Sequence, residues 1–355
     1  MVTRNDVAKA AGTSSAVVSY VLNNGPRPVA EATRRKVMRA VRELSYRPNQ
    51  IARSLRTADS KSLGLIVPDI SNPFFAELAL EIERCAAAHG SLLLLGNSMQ
   101  DDARQASYLA AFADQLVHRI CIVGAGQLAS EAEAPLTNAQ IAGGPPNVVF
   151  IDRLPTGANG ITVCVDNEQG AFVATRHLLD HGLTRIGMLA GPVGVSSADE
   201  RERGWRRALL EAEIDPSTQV VVRSDFNRYA AHDAVGALWG RDDLPQAFFV
   251  QSDEQSIGVL RAAAQVGVAV PRDVAIVSFD GIRESAFTVP PLTTVRQPLQ
   301  LIAETAYSLL EQTDDPGVPK STMLPVSLVI RSSCGCGAAT AHNMSLVENP
   351  RIPAE

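Results

Sequence analysis

The stretch Thr13-Ser14-Ser15-Ala16-Val17-Val18-Ser19-Tyr20-Val21-Leu22-Asn23 decides how the chain is read. On a helix, Val18, Val21 and Leu22 fall on one side at the i, i+3, i+4 spacing of a buried stripe. Ser15, Ala16, Ser19, Tyr20 and Asn23 fall on the other, a face with hydrogen-bonding groups and no acidic side chain. Upstream, Thr3 is placed to cap a short helix with Asp6 in its first turn, Val7, Ala10 and Ala11 as its apolar stripe, and Gly12 as its stop. Helix, glycine-containing turn and helix at this spacing predict a helix-turn-helix whose second helix enters the DNA major groove. The same periodicity also describes an αα-hairpin that merely packs on itself.

Charge favours the first reading. Residues 1–60 hold 11 Lys and Arg against four Asp and Glu, whereas the rest of the chain holds 21 against 34. A basic head on an acidic body implies that only the head meets a polyanion. The remaining composition, 46% hydrophobic and 20% charged over 355 residues, is that of a globular protein of two or three structural units. No apolar run approaches the roughly 18 residues that span a bilayer. The N-terminus, Met1-Val2-Thr3-Arg4-Asn5-Asp6, lacks the apolar core of a signal peptide, so a cytoplasmic location is expected. Cys85, Cys121, Cys164, Cys334 and Cys336 are an odd, scattered set, read as reduced thiols.

A third helix is expected from about Glu31 to Leu44, with Val37, Val41 and Leu44 facing inward. Pro48 then breaks the chain and Asn49 can cap a new helix over Gln50–Arg56. That helix is about two turns long, below the roughly 12–15 residues at which isolated helices hold in water. It is read as a switch that folds when something docks against it.

From Ser62 the texture becomes α/β. Apolar runs at 63–67, 92–95, 120–123, 148–151, 161–165, 186–190, 247–250 and 274–279 alternate with helix-like stretches such as Phe74–His89, Asn167–His181, Glu200–Glu213 and Asp253–Val266. Continuous apolar strands separated by helices imply doubly wound parallel sheets, here enough for two subdomains. The expected organisation is a small all-α head (1–47), a hinge helix (48–60), a two-subdomain core (61–336) and a disordered tail (337–355). Within the core, roughly 61–160 with 293–326 form one subdomain, and 161–292 with 327–336 the other. Ligands of such sheets sit beyond the strand C-termini. Pro68–Phe75, Asp152-Arg153, Gly191–Arg201, Ser252-Asp253 and Asp280-Gly281 lie there.

Asp6-Val7-Ala8, Gly12-Thr13-Ser14, Val18–Asn23, Thr33-Arg34, Tyr46–Asn49, Ala52–Arg56 and Gly64–Phe75 resemble, in order, the lactose-repressor/galactose-repressor (LacI/GalR) family of bacterial transcription regulators. So do Asp152-Arg153, Asp199–Gly204, Val277–Asp280 and Pro290–Val295, and the similarity runs from Thr3 to about Arg331. The resemblance implies a periplasmic-binding-protein-like core and a homodimer on a palindromic operator, most often as a repressor. It assigns DNA contacts to Thr3, Ser14, Ser15, Ala16, Ser19, Tyr20, Asn23, Thr33, Arg34, Asn49, Ala52, Arg53, Leu55 and Arg56. Ser14, Ser19 and Asn23 would hold phosphates, Ser15, Ala16 and Tyr20 would face base edges, and Leu55 would wedge into the minor groove. Tyr20 stands where many members carry an Arg suited to guanine, and Ala30 replaces a Ser usual before the third helix.

The resemblance likewise places Asn72, Phe74, Phe75, Asp152, Arg201, Phe226, Ser252, Asp253 and Asp280 around an effector cleft. Carboxylates and a guanidinium beside aromatic rings suit a sugar or related polyol. Ser252 sits where Asn is frequent. A sugar-binding protein without a DNA role would share the core but leave the basic head unexplained. No enzyme, cofactor or membrane partner is expected. His177 and His181 are i, i+4 on an expected helix, but they lack the Glu of a zinc-protease motif and are read as a solvated or core pair. Cys334-Gly335-Cys336 has no partner nearby in the sequence and is read as structural. With no C-terminal leucine heptad, a dimer is expected rather than a tetramer.

Overall fold

The computed structural model describes residues 2–23, 27–46, 61–124, 147–152, 161–240, 244–312 and 320–336. The chain divides into two units, 1–60 and 61–355. The expected hinge helix and tail, and with them Asn49, Ala52, Arg53, Leu55 and Arg56, lie outside the described residues.

In the first unit, helix α1 spans Arg4–Ala11. Thr3 caps it reciprocally: Asp6 N donates to Thr3 Oγ1 at 3.3 Å, and Thr3 N donates back to Asp6 Oδ2 at 2.8 Å. Gly12 ends it at φ +63°, ψ 39°, a left-handed geometry that glycine adopts without steric cost. Ser14 Oγ then accepts from Val17 N at 3.3 Å and starts α2, Ser15–Asn23. α3 runs Glu31–Glu43. Val7, Ala8 and Ala11 of α1, Val18 and Val21 of α2, and Val37 and Ala40 of α3 close a small core. Two inward positions differ from the sequence expectation. Ala8 rather than Ala10 is buried, and Ala40 lies deeper than Val41 or Leu44. A three-helix core narrows to small side chains where the axes approach.

The second unit holds, among the described residues, two six-stranded sheets. The first comprises β1 (Ser62–Val67), β2 (Leu92–Asn97), β3 (Arg119–Val123), β4 (Asn147–Ile151), β5 (Ile161–Val165) and β11 (Ser321–Leu324), in the order β11-β5-β4-β3-β1-β2. Every pairing in it is parallel. α4 (Pro73–Ala88) and α10 (Leu299–Glu311) cover one face through Leu78, Ile82, Ile302 and Leu310, while α5 (Asp102–Asp114) covers the other through Leu109 and Phe112.

The second sheet comprises β6 (Ile186–Ala190), β7 (Val221–Arg223), β8 (Ala247–Val250), β9 (Ala275–Asp280), β10 (Thr293–Arg296) and β12 (Ser327–Val329). Its order is β12-β10-β9-β8-β6-β7, with only β12 antiparallel. Successive strand residues face opposite sides. Phe249 therefore packs with Trp205 and Leu178 of α7 (Ser196–Glu211) and α6 (Asn167–Asp180), while Phe248 packs with Val235 and Val259 of α8 (Arg228–Gly236) and α9 (Asp253–Gln265).

The sheets relocate two subdomain boundaries. Ile161–Val165 belongs to the first sheet and Thr293–Arg296 to the second, so the chain crosses after β5 and after β10. The sequence reading put each crossing one strand too early. Both strands border a sheet interior, and nothing in their composition marks which sheet they join.

Candidate functional site

On the head, Ala16 and Ser14 are exposed, and Ser15, Ser19 and Tyr20 are half-buried along α2. Thr33 and Arg34 are half-buried on the first turns of α3. The Thr3 hydroxyl donates to Asp6 Oδ2 at 2.7 Å while capping α1, and this bond holds the Asp6 carboxyl below its usual range. Ala30 precedes α3 with no side-chain cap. Along its length α2 thus carries hydroxyls and no acidic side chain.

In the body, the polar residues converge where strands end. Asn72 caps α4, accepting from Phe74 N at 3.0 Å, and its Nδ2 donates to the Phe226 carbonyl at 3.4 Å. This bond links the loop after β1 to the loop after β7, and Arg283 N adds a second link between the lobes by donating to Glu77 Oε1 at 2.8 Å. Phe226 lies against Gly191, where any Cβ would come within 2.2 Å of its ring. Phe74 is buried, edge-on to the half-buried Phe75 at 5.2 Å between centroids.

Arg201 of α7 is 4% exposed and lies 3.7 Å above the Phe279 ring. Its Nε donates to Asn167 Oδ1 at 2.9 Å, its Nη1 to the Gln251 carbonyl at 2.5 Å, and its Nη2 pairs with Asp280 Oδ1 at 3.3 Å. Gln297 Nε2 adds a bond to the same Asp280 oxygen at 2.9 Å. Burial nevertheless pushes the Asp280 carboxyl up to about 7, with Arg201 opposing the shift and the charges of Asp253 and Asp152 adding to it. Asp280 and Asp152, each at a strand end, hold φ values of +108° and +72°. Backbone strain of this kind costs about 1–3 kcal/mol and clusters at ligand sites.

Asp253 and Ser252 behave differently from the sequence expectation. Asp253 is fully buried; Oδ2 accepts from Gly281 N and Ile282 N at 2.8 and 2.9 Å, and Oδ1 from Thr294 Oγ1 at 2.7 Å. Its carboxyl, pushed up by burial to about 6, fixes the turn after β9. Ser252 Oγ caps α9 by accepting from Gln255 N at 3.1 Å. Both side chains are buried and hold the start of α9 and the turn after β9 in place. The buried amides Asn167, Gln251 and Gln297, which the sequence reading did not single out, complete the frame around Arg201 and Asp280. Cys334 and Cys336 do have neighbours: His177 and His181, distant in sequence, lie beside them. An open surface depression is lined by Pro192, Val193, Arg223, Ser224, Asp225 and Ala230.

A capped helix-turn-helix together with two wound lobes meeting at a polar cluster defines a class of protein, the ligand-responsive DNA-binding regulators. Residues 3–49 match the bacterial regulatory proteins of the lacI family, and residues 175–334 match a periplasmic binding protein-like domain. The chain is 32% identical over 317 residues to the HTH-type transcriptional repressor PurR of Aliivibrio salmonicida (strain LFI1238), covering 87% of this chain and 91% of that one. It superposes on the lac repressor dimer bound to operator and the anti-inducer ONPF with a TM-score of 0.80 at 26% identity, covering 94% and 99% of the two chains. A complex of the transcriptional regulator CelR with cellobiose matches at a TM-score of 0.67 and 29% identity, covering 94% and 100%. The chain belongs to the lacI family of bacterial regulatory proteins. It is a DNA-binding transcriptional regulator, not an enzyme, and no helix among its described residues is long and apolar enough to cross a membrane.

Proposed function

We propose that this regulator works in the cytoplasm as a homodimeric repressor on a palindromic operator, and that a sugar or related polyol bound between its lobes sets its operator affinity. The bond from Asn72 to the Phe226 carbonyl, which joins strand-end loops of the two lobes, carries the effector reading. Groups suited to hydroxyl recognition would thus meet a ligand from strand ends of both lobes, so that a bound molecule would touch each. Asn72, Phe226, Arg201, Asp280 and Asp152 would meet the ligand. Phe74 and Phe75 would shape the first lobe's wall, and Ser252 and Asp253 would hold the second's. The cellobiose bound by CelR is a ligand of that chemical kind.

On the DNA side, Ser14, Ser19, Asn23, Thr33 and Arg34 would position the head on phosphates, with Ser15, Ala16 and Tyr20 at base edges. Residues 48–60, with Leu55 as the wedge, would fold when paired on DNA. Effector binding would change the spacing of the two copies and so decide whether they fold. Dimerisation is supported by the outer strand β2, where Leu92 is 74% exposed and Leu95 also faces outward on an unpaired edge.

A thermal-shift screen of monosaccharides, disaccharides and nucleosides tests this reading. A compound that raises the melting temperature must also shift operator affinity in a gel-shift or anisotropy titration. Stabilisation with unchanged DNA binding would overturn the regulatory coupling, and no footprint on any palindrome would overturn the operator.

A further inference from the structure

Among the described residues, one set of metal-ligating side chains lies apart from the cleft. His177 and His181 at the end of α6 and Cys334 and Cys336 beyond β12 bring their ligand atoms within 4.8 Å of one another. Cys336 Sγ is 3.3 Å from His181 Nε2 and 3.7 Å from His177 Nε2. A tetrahedral zinc site with bonds of about 2.3 Å to sulfur and 2.0–2.1 Å to nitrogen has ligand–ligand edges of about 3.3–3.8 Å. The two short distances already have that size, and the rest of the set needs only a small contraction.

The local structure presents all four groups. Residues 177 and 181 are one helical turn apart and share a face, with ring centroids 4.7 Å apart. Gly335, at φ +95°, gives the backbone a left-handed conformation that turns both flanking thiols to the same side. Cys334 is buried, Cys336 and His177 are half-buried and His181 is exposed, so an ion can enter from solvent and still be held at depth. The surroundings also favour a thiolate. Arg331 N donates to Thr293 Oγ1 at 2.8 Å, which directs the Thr293 hydroxyl proton towards Cys334 Sγ at 3.1 Å.

We propose that His177, His181, Cys334 and Cys336 form a structural zinc site that clamps the chain beyond β12 onto α6. Binding releases one proton from each thiol, and two thiolates with two neutral imidazoles leave the dication electrically neutral. Four protein ligands fill the tetrahedron, so no position remains for a reacting water. The mechanical role follows from the topology. β12 has three residues and holds the sheet edge by an antiparallel pairing with β10. Zinc bonded to both residue 181 and residue 334 closes a long loop around the second lobe and fixes that edge strand.

The test uses the untagged full-length chain, reduced, stripped with chelator and titrated with Zn²⁺ against a chromophoric competitor, with Co²⁺ as the spectroscopic probe. The expected result is one Zn²⁺ per chain, and a Co²⁺ spectrum with strong tetrahedral d–d bands and a thiolate charge-transfer band. Cys336→Ser and His181→Ala, both at accessible positions, should each weaken Zn²⁺ by about a hundredfold or more. Chelation should lower the melting temperature of the wild type but not of Cys336→Ser. Three outcomes overturn the proposal: no stoichiometric zinc, a Co²⁺ spectrum lacking the thiolate band (a surface cation on the histidines alone), or a Cys334–Cys336 disulfide in the protein as purified, before any reductant is added.

Discussion

Thr293 and Thr294, consecutive residues of β10, send their hydroxyls to opposite faces of the second sheet. Thr294 Oγ1 donates to Asp253 Oδ1 at 2.7 Å, and Thr293 Oγ1 donates to Cys334 Sγ at 3.1 Å. One strand thus holds the wall of the candidate cleft with one residue and the cysteine turn with the next. Thr294→Val keeps the shape but strips a fully buried carboxyl of its side-chain donor on Oδ1. Leaving such a group short of a partner costs about 1–3 kcal/mol, so the variant should unfold at correspondingly lower urea. Equal stability would mean that the bond contributes nothing net.

Asp280 and Asp253 give the fold an unusual pH response. Burial raises them from 3.8 to about 7 and about 6, so between pH 4 and 7 the folded protein holds protons that the unfolded chain has released. Their contribution to stability is therefore complete below pH 4 and is lost as pH rises through the folded values. Asp280→Asn fixes the neutral form at one site. Urea unfolding at pH 5 and pH 8 should show the variant gaining on the wild type by about 2–3 kcal/mol at the higher pH. Parallel profiles would rule out a folded Asp280 that titrates near neutrality.

Much of this architecture is legible in the sequence because it rests on contiguous signals. The runs at Leu63–Val67, Ile186–Ala190 and Ala247–Val250 are strands since each is apolar on both faces, and Thr3 with Asp6 announces its helix through cap chemistry. β10 is less visible. It reads Thr-Thr-Val-Arg, and its buried threonines bond chiefly to Asp253, Cys334 and Arg331, all far along the chain. The same limit hides the frame around Arg201. Asn167 and Gln251 look like ordinary surface amides until the fold buries them. The cysteine pair and histidine pair lie more than 150 residues apart, and only the path of β12 past α6 brings them together.

The close approach of α6 and α7 is set by Gly204. A Cβ there would lie 2.1 Å from the Glu168 carbonyl and 2.9 Å from Phe172 N, both backbone atoms that no rotamer change can move. Gly204→Ala gains about 1 kcal/mol of helix propensity, yet it must part the two helices, so a net loss of at least about 1 kcal/mol is expected. Gly236 ends α8 with nothing within 4 Å of such a Cβ. Gly236→Ala should raise stability by about 0.5–1 kcal/mol. Opposite signs in thermal melts of the pair confirm the packing; like signs refute it.

Ala30 leaves the amino end of α3 without a side-chain acceptor, although its φ −55°, ψ 139° geometry suits one. Ala30→Ser supplies a hydroxyl that can accept from an amide of the first turn. A gain of about 1 kcal/mol is expected in the head alone. Hydrogen exchange of the α3 amides reads that unit separately: slower exchange supports the missing cap, and unchanged exchange shows that solvent already serves.

Tyr20 sets the final expectation. It is half-buried on the outer side of α2, opposite the core residues Val18 and Val21, and a phenol offers one donor where a guanidinium offers a planar fork. A tyrosine at a base edge can bond once and pack on a thymine methyl, whereas arginine reads the O6 and N7 of guanine together. Tyr20→Arg should shift the preferred base at one symmetric pair of operator positions towards guanine by about 1–3 kcal/mol per half-site. Selection from a pool of randomised palindromes reads this directly. If both proteins enrich the same sequences, Tyr20 does not face a base, and the docking of α2 must be rotated from the one proposed.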